Sequence, residues 1–418
     1  MSTETAPTAD RVVAPPPAGW EEARARVYAV GLSAALPAVA RPLVDTDGLT
    51  LAEPLTTRTD LPAFPTASVD GWAVRGAGPW RVVGRVLAGS TPAPLVDDGT
   101  TVEIATGAMV PEGATAVLRV EESTVTEGLV SGTPRQAPEW RQPGEEAYAD
   151  EELLPAGTPV DPAVIGLAAS CGHDTLRVRR APRAALLVFG DELLTAGLPA
   201  AGRVRDALGP AVPAWLRRYG CQVRPSDVVG PVADTLPAHV AALRSALANA
   251  DLVCTTGGTM HGPVDHLHPT LEALGADYVV NTVAVRPGFP MLLARLAGHD
   301  GRVRFVAGLP GNPQSAIVAL VSLVAPLLAG LQGRSMPVLP QVTLAEAVPG
   351  RGSHTHLALV RLDRAAGTAH PVRHVGSAML RGLAGADGFA VIRPGTNGEQ
   401  GDRVPIVPLP SLPGEWAS

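Results

Sequence analysis

The stretch 252–312 most constrains what this chain can fold into. A short apolar run, Leu252-Val253-Cys254-Thr255-Thr256, stops at Gly257-Gly258. A loop through Met260, His261 and Asp265 follows, then a helical segment and a second apolar run ending at Val285-Arg286-Pro287-Gly288. A third run, 304–308, leads into Leu309-Pro310-Gly311-Asn312-Pro313. Strands that end in glycine loops ahead of helices build a ligand crevice at the carboxyl edge of an open α/β sheet. Gly257-Gly258 lets the backbone adopt positive φ and come close to a ligand. Asn312-Pro313 reads as an N-cap with proline at N1, so outward-facing amides and the positive end of a helix dipole are expected there as an anion site. One such loop is more simply a tight turn. Three in one sheet, each ending a strand, point to a phosphate-bearing ligand.

At 418 residues the chain holds more than one domain. A net charge of −7 gives no sign of nucleic-acid binding. The chain has no lysine, so every strong cation is an arginine. Cys171, Cys221 and Cys254 lack metal-ligand spacing and read as buried thiols in a reducing compartment. The N-terminus lacks a basic-then-apolar signal pattern. The longest apolar run, 316–330, is short for a membrane span and contains Ser322 and Pro326. A soluble cytoplasmic protein with no membrane or nucleic-acid partner is expected.

In chain order, residues 1–19 are rich in Pro, Ala and Thr and are expected to be disordered. Residues 20–35 have helical spacing, with Ala23, Val27, Val30 and Ala34 on one face. From 51 to 122 short strands and turns predict a β-rich module, with strands at 80–83 and 116–120. Residues 161–169 predict a helix with Asp161 as N-cap and Pro162 at N1, packed beside the N-terminal helix. From 182 onward strands alternate with helices: strands at 183–189 and 222–229, helices at 209–219, 235–250 and 312–331. This alternation predicts a parallel, doubly wound sheet. After Gly333, alternating runs at 338–348, 355–362 and 388–393 predict a small C-terminal β domain.

No serine elbow, histidine-rich metal cluster or cysteine–histidine pair stands out. His261, His266 and His268 lie near the central loop, where a solvated histidine is the simpler reading and a base the sharper one. Acids recur at strand ends: Glu192 after Gly190, Asp234 after the run reaching Val232, and Asp265 after Gly257-Gly258. Carboxylates at the mouth of an α/β crevice suit Mg²⁺, which bridges a few carboxylates and substrate phosphates. The residues alone thus predict an α/β phosphate-ligand protein of Mg²⁺-dependent type.

The motifs resemble the molybdopterin molybdenumtransferase family, which includes the E domain of gephyrin. Ser68-Val69-Asp70-Gly71-Trp72-Ala73, Thr106-Gly107-Ala108 through Ala114, Gly144-Glu145-Glu146, Gly190-Asp191-Glu192-Leu193 and Leu309-Pro310-Gly311-Asn312-Pro313 are similar to family motifs in the same order. The resemblance runs from about Trp20 into the C-terminal domain. It implies a multidomain α/β protein: a split elongated domain (20–50 with 145–181), a β-rich domain (51–144), a doubly wound molybdopterin-binding α/β domain (182–333) and a C-terminal β domain (334–418). It also implies a homodimer supplied by a molybdopterin adenylyltransferase. The implied reaction inserts molybdenum from molybdate into adenylylated molybdopterin, releases AMP and requires Mg²⁺.

By this resemblance Asp70, Glu192, Asp234 and Asp265 are catalytic, and Glu192, Asp234 and Asp265 hold the metal. Thr106, Glu146, Gly257, Gly258, Arg286, Pro310, Gly311, Asn312 and Ser315 bind the pterin substrate. Asp70, Thr106 and Glu146 come from the partner chain. The sequence departs from the family pattern at Phe189, Leu208, Met260, Pro263 and Phe289, and three family lysines are Thr282, Arg286 and Phe289 here. These changes predict a more apolar pocket, in which Arg286 still suits an oxyanion. The alternative is a paralogue that keeps the fold and binds a ligand or partner without catalysis.

Overall fold

The structure is a computed structural model that describes residues 16–260, 265–298 and 300–410. Its contacts divide the chain into two compact units, one of residues 38–178 and one of residues up to 37 together with 179 onward. The N-terminal segment expected to be disordered enters the described residues only at 16–19. There Ala18 pairs in parallel with Val283, and its carbonyl accepts from the Ala284 amide at 2.8 Å. Residues 16–19 are therefore tied down ahead of the first helix, α1 (Trp20–Ser33). Residues 1–15, and with them the rest of that expectation, lie outside the described residues.

Within residues 38–178 a six-stranded sheet runs in the order Ala116–Arg119, Gly71–Arg75, Thr100–Ile104, Trp80–Val86, Leu129–Gly132, Ser123–Thr126. Both strands expected in this module are present. A three-stranded sheet (Ala38–Pro42, Thr175–Arg179, Thr50–Leu51) shares a separate core with α2 (Pro162–Ser170) through Leu51, Ala168, Leu176 and Val178. α2 begins as its sequence predicts: the Asp161 carboxylate accepts from the Val164 amide at 2.9 Å, and Pro162 stands at the first helical position.

The α/β domain has six strands: β1 (Ala184–Phe189), β2 (Val228–Val232), β3 (Leu252–Thr256), β4 (Asp277–Asn281), β6 (Leu292–Ala297) and β7 (Val303–Leu309), with β5 (Val285–Arg286) between β4 and β6 in the chain. Their order is β2-β1-β3-β7-β6-β4. The first four run parallel; β6 is antiparallel to both β7 and β4, so it alone is reversed and the sheet is mixed. Buried apolar runs indicate strands but not their direction. The expected strand at 222–229 is a 3₁₀ turn, Pro225–Asp227, followed by β2. Helices α3 (Leu208–Arg218), α4 (Leu236–Leu247), α5 (Leu267–Ala273) and α6 (Pro313–Ala319) complete the domain.

One of the three glycine loops read as ending strands of this sheet belongs elsewhere. β5 pairs in parallel with β9 (Thr355–Asp363) of the C-terminal region, where β8 (Gln341–Leu344), β10 (Thr368–Pro371), β11 (Gly388–Ile392) and β12 (Arg403–Pro408) also lie. The order β9-β10-β8-β12-β11 closes through a β9–β11 pairing, giving a five-stranded barrel with β5 added on β9. Closure removes the unpaired edges that an open sheet would leave.

α6 continues through a π-helical turn (Leu320–Val324) into α7 (Ala325–Leu331). This stretch, 313–331, is long and apolar enough to cross a membrane, but 94% of it is buried inside the protein. α1 packs on it. The Trp20 indole nitrogen donates to Ser322 Oγ at 2.8 Å, so the π-helical turn supplies the acceptor that a buried indole requires. Arg24 donates to the Val321 carbonyl at 3.0 Å, and burial lowers its pKa to about 10, still charged at neutral pH. Glycines let the helices touch: a Cβ on Gly330 would stand 2.5 Å from both Leu32 N and the Tyr28 carbonyl.

Gly330→Ala is expected to destabilise the protein by about 1–3 kcal/mol, since backbone cannot move aside as a side chain can. Gly166→Ala, at an exposed helical position with open space around it, is expected to be neutral or to stabilise by up to about 1 kcal/mol. Denaturant unfolding of the two variants checks the contrast; equal effects would contradict the packing described.

Candidate functional site

The chain leaves β1 toward β2 on one side and later adds β3 on the other, so the carboxyl ends of β1 and β3 form a topological switch point. Four expected loops converge there. After β1 comes Gly190-Asp191-Glu192, after β2 Asp234, after β3 Gly257-Gly258, and after β7 Pro310-Gly311-Asn312. Gly257 and Gly258 have φ of +86° and +69°, as their position predicts. Gly311 faces Gly257 closely: a Cβ built on it lies 3.7 Å from the Gly257 Cα. Pro310 is buried behind them, and Gly311 and Asn312 are exposed.

Asp234 organises the floor of this crevice. Its Oδ2 accepts from the Asp191 amide at 3.1 Å, and its Oδ1 faces His239 Nε2 at 3.6 Å. Its carbonyl meets His266 Nε2 at 3.1 Å. His239 is fully buried, stacked on Phe189 with ring centroids 3.7 Å apart, and burial lowers its pKa. The Glu192 carboxylate folds over Gly190, with Oε2 2.7 Å from where a Cβ on that glycine would stand. Asp265 lies on another cavity, of about 470 Å³, with Met260, His268 and Tyr278.

The three acids expected to share a metal ion are thus not a ready-made trio. Among the described residues no group of three or more His, Cys, Asp and Glu side chains could hold a metal. Asp234 is engaged with the turn, and Glu192 curls over it. Nor do the departures from the family pattern all make an apolar pocket. Phe189 and Leu208 are core residues, Met260 is exposed, and Phe289 is half-buried. Of the loop histidines, His266 serves Asp234, His268 Nδ1 meets the Tyr278 hydroxyl at 2.7 Å, and His261 lies outside the described residues, as does Pro263.

The largest correction concerns the helix end at Asn312. Pro313 has no amide hydrogen, Gln314 and Ser315 both donate to the Ser377 carbonyl (2.9 and 3.3 Å), and Ala316 donates to the Asn312 carbonyl at 2.9 Å. The expected anion site is filled by backbone from beyond β10. Asp206 acts likewise at α3, accepting from the Leu208 and Gly209 amides at 2.9 Å each.

Cationic character gathers instead in a cavity of about 640 Å³ between the α/β domain and the barrel. Arg286, Gln314, Arg351, His356 and Ser377 line it with aliphatic side chains and prolines, and no Asp or Glu does so. Among the described residues neither arginine has a carboxylate within 4.0 Å. His356 Nδ1 lies 2.8 Å from the Pro349 carbonyl, and burial lowers its pKa. Arg351, His356 and Ser377 were missed in the sequence; the only local signal was an arginine between Gly350 and Gly352 in a turn ahead of β9.

In the other unit, Asp70 Oδ1 accepts from the Thr106 amide at 2.7 Å and the Thr106 hydroxyl at 3.0 Å. Glu146 is exposed, its amide bonded to the Leu61 carbonyl at 2.9 Å.

Three family profiles match in sequence order: the MoeA N-terminal region (domain I and II) over residues 19–172, the probable molybdopterin binding domain over 185–330, and the MoeA C-terminal region (domain IV) over 341–409. The chain belongs to the MoeA family. Its relatives include a molybdopterin molybdenumtransferase of Staphylococcus epidermidis, 29% identical over 368 residues, covering 84% of this chain and 86% of the relative. One of Staphylococcus aureus is 28% identical and covers 76% of each chain. The crystal structure of a MoeA protein of molybdopterin biosynthesis from Pyrococcus horikoshii shares the fold, with a TM-score of 0.76, 24% identity, and 94% of this chain and 99% of that one covered.

The Thr106 amide first, and its hydroxyl second, hold the Asp70 pKa below the ordinary aspartate value in this MoeA-family chain. Stability from this contact is therefore present above the ordinary value and lost as pH falls through the depressed one. Thr106→Val removes only the hydroxyl bond, so the Asp70 pKa is expected to rise part of the way. NMR titration of the carboxyl carbon checks this; a full return to the ordinary value would contradict the order of causes.

Proposed function

We propose that this chain inserts molybdenum from molybdate into adenylylated molybdopterin with release of AMP, as a transferase of molybdenum cofactor biosynthesis. The observation that carries the reading is the acid-free cavity walled by Arg286 and Arg351 beside the switch-point crevice. One segment, 311–315, borders both, with Gly311 against Gly257 and Gln314 in the cavity wall. A guanidinium fork matches an oxyanion through paired N–H···O bonds. Glycine turns at a sheet switch point suit a pyrophosphate. The names of the relatives, which match most of this chain, support the same chemistry.

Mg²⁺ fits the crevice by donor type, because it keeps much of its water and takes one or two carboxylates with substrate phosphates. Glu192 and Asp234 would hold it, and it would supply positive charge against the pyrophosphate. Asp234 also fixes the Gly190-Asp191 turn, while Gly257, Gly258 and Gly311 admit the backbone close to the ligand. Asp265 would meet the substrate from the adjoining cavity. The working form is a cytoplasmic homodimer, with Asp70, Thr106 and Glu146 supplied by the partner subunit and the substrate by a molybdopterin adenylyltransferase.

Purified protein given adenylylated molybdopterin, Mg²⁺ and molybdate is expected to release AMP and form molybdenum-loaded pterin in step. Glu192→Gln and Asp234→Asn are expected to lower AMP release by roughly 10²-fold or more with unfolding midpoints near wild type. Arg286→Ala and Arg351→Ala are expected to raise the KM for molybdate about 10-fold or more, in keeping with the loss of charge-assisted bonds. A well-folded dimer yielding neither product would favour the non-catalytic alternative.

A further inference from the structure

Arg286 lines the oxyanion cavity from β5, and its guanidinium carbon stands 5.0 Å over the ring of Phe289. That ring is held in turn: His354 meets it edge-on, with centroids 5.7 Å apart at 66°. Phe289 is fixed in the backbone as well, because its carbonyl accepts from the Val283 amide at 3.2 Å. His354 sits in the turn that also carries Arg351, ahead of β9, the strand on which β5 pairs. The stack thus joins the two segments that bring arginines to the cavity.

From this we propose that Phe289 is a positioning residue for Arg286: its ring supports one face of the guanidinium and leaves the N–H edge directed at the oxyanion. The proposal rests on the oxyanion reading of the cavity given above. A free arginine side chain loses rotamer entropy on being fixed, and a stacked one has already lost much of it. Guanidinium is weakly hydrated and stacks on aromatic faces, whereas an ammonium is a strongly hydrated point charge. Phenylalanine at 289 and arginine at 286 therefore work as a pair in a chain without lysine. Phe289 cannot bind an anion itself; it makes the one cation beside it rigid.

The test is equilibrium binding of molybdate to the full-length protein, with unfolding midpoints measured alongside. Phe289→Leu keeps apolar bulk and removes the ring face; it is expected to weaken binding roughly 3- to 30-fold. Phe289→Tyr keeps the face and is expected to bind like wild type. In the Arg286→Ala background, Phe289→Leu is expected to add nothing, because the partner it acts through is gone. Two results would overturn the proposal while leaving the cavity reading intact: wild-type affinity in Phe289→Leu, or the same fold-loss with and without Arg286. Molybdate binding that is absent in the wild type, or unaffected by Arg286→Ala, would overturn both readings together.

Discussion

The carbonyl of Ser377 is the constraint on which the site depends. It takes the first free amides of the longest buried helical stretch, at Gln314 and Ser315, while Gln314 Oε1 accepts from the Gly376 amide at 3.3 Å. The buried helix end, whose amides would otherwise be left unpaired, is satisfied by this more exposed segment. The exchange pins the segment after β10 to the start of α6 and walls the cavity. It also decides where positive charge comes from. Backbone amides at this helix end are spent within the protein, so the cavity draws its charge from Arg286 and Arg351.

Two chemically opposite regions therefore adjoin within one compact unit. At the switch point the side chains are acids, Glu192 and Asp234, over glycine turns. Across residues 311–315 the cavity has guanidinium groups and no acid. The proposed reaction, in which a pyrophosphate is cleaved at one end of the site while an oxyanion is held at the other, is served by this separation, because a carboxylate beside the oxyanion would repel it and an arginine beside a bound cation would compete for its ligands. The buried frame keeps the regions apart. α7 is gripped by α1 through Gly330, the Trp20 indole finds its acceptor in the π-helical turn, and the barrel closes on itself with β5 joined to one strand.

Much of this was legible in the sequence where the cause is local. Asp161-Pro162 starts α2 because a carboxylate two or three residues from an amide needs no tertiary help. The strands at β1, β3 and β7 follow from short apolar runs, and the glycine turns after β1 and β3 from residues that tolerate positive φ. The family resemblance supplied the domain order. What stayed hidden depends on partners far along the chain. Asn312-Pro313 looks the same whether its helix amides face water or a carbonyl more than sixty residues away. Residues 285–286 read as a strand end of the α/β sheet, and only pairing with β9 sends them to the barrel. α1 showed its apolar face but not which helix would cover it. Phe189 and Phe289 looked like equivalent losses of polarity, yet one lies in the core under His239 and the other carries Arg286.

The most direct test of the account is anomalous diffraction from crystals soaked in molybdate, recorded at the molybdenum edge. The account predicts a peak in the cavity, within hydrogen-bonding reach of the Arg286 and Arg351 guanidinium groups, which disappears in Arg286→Ala crystals. A peak confined to the Gly190–Asp234 crevice, with the arginine cavity empty, would contradict it.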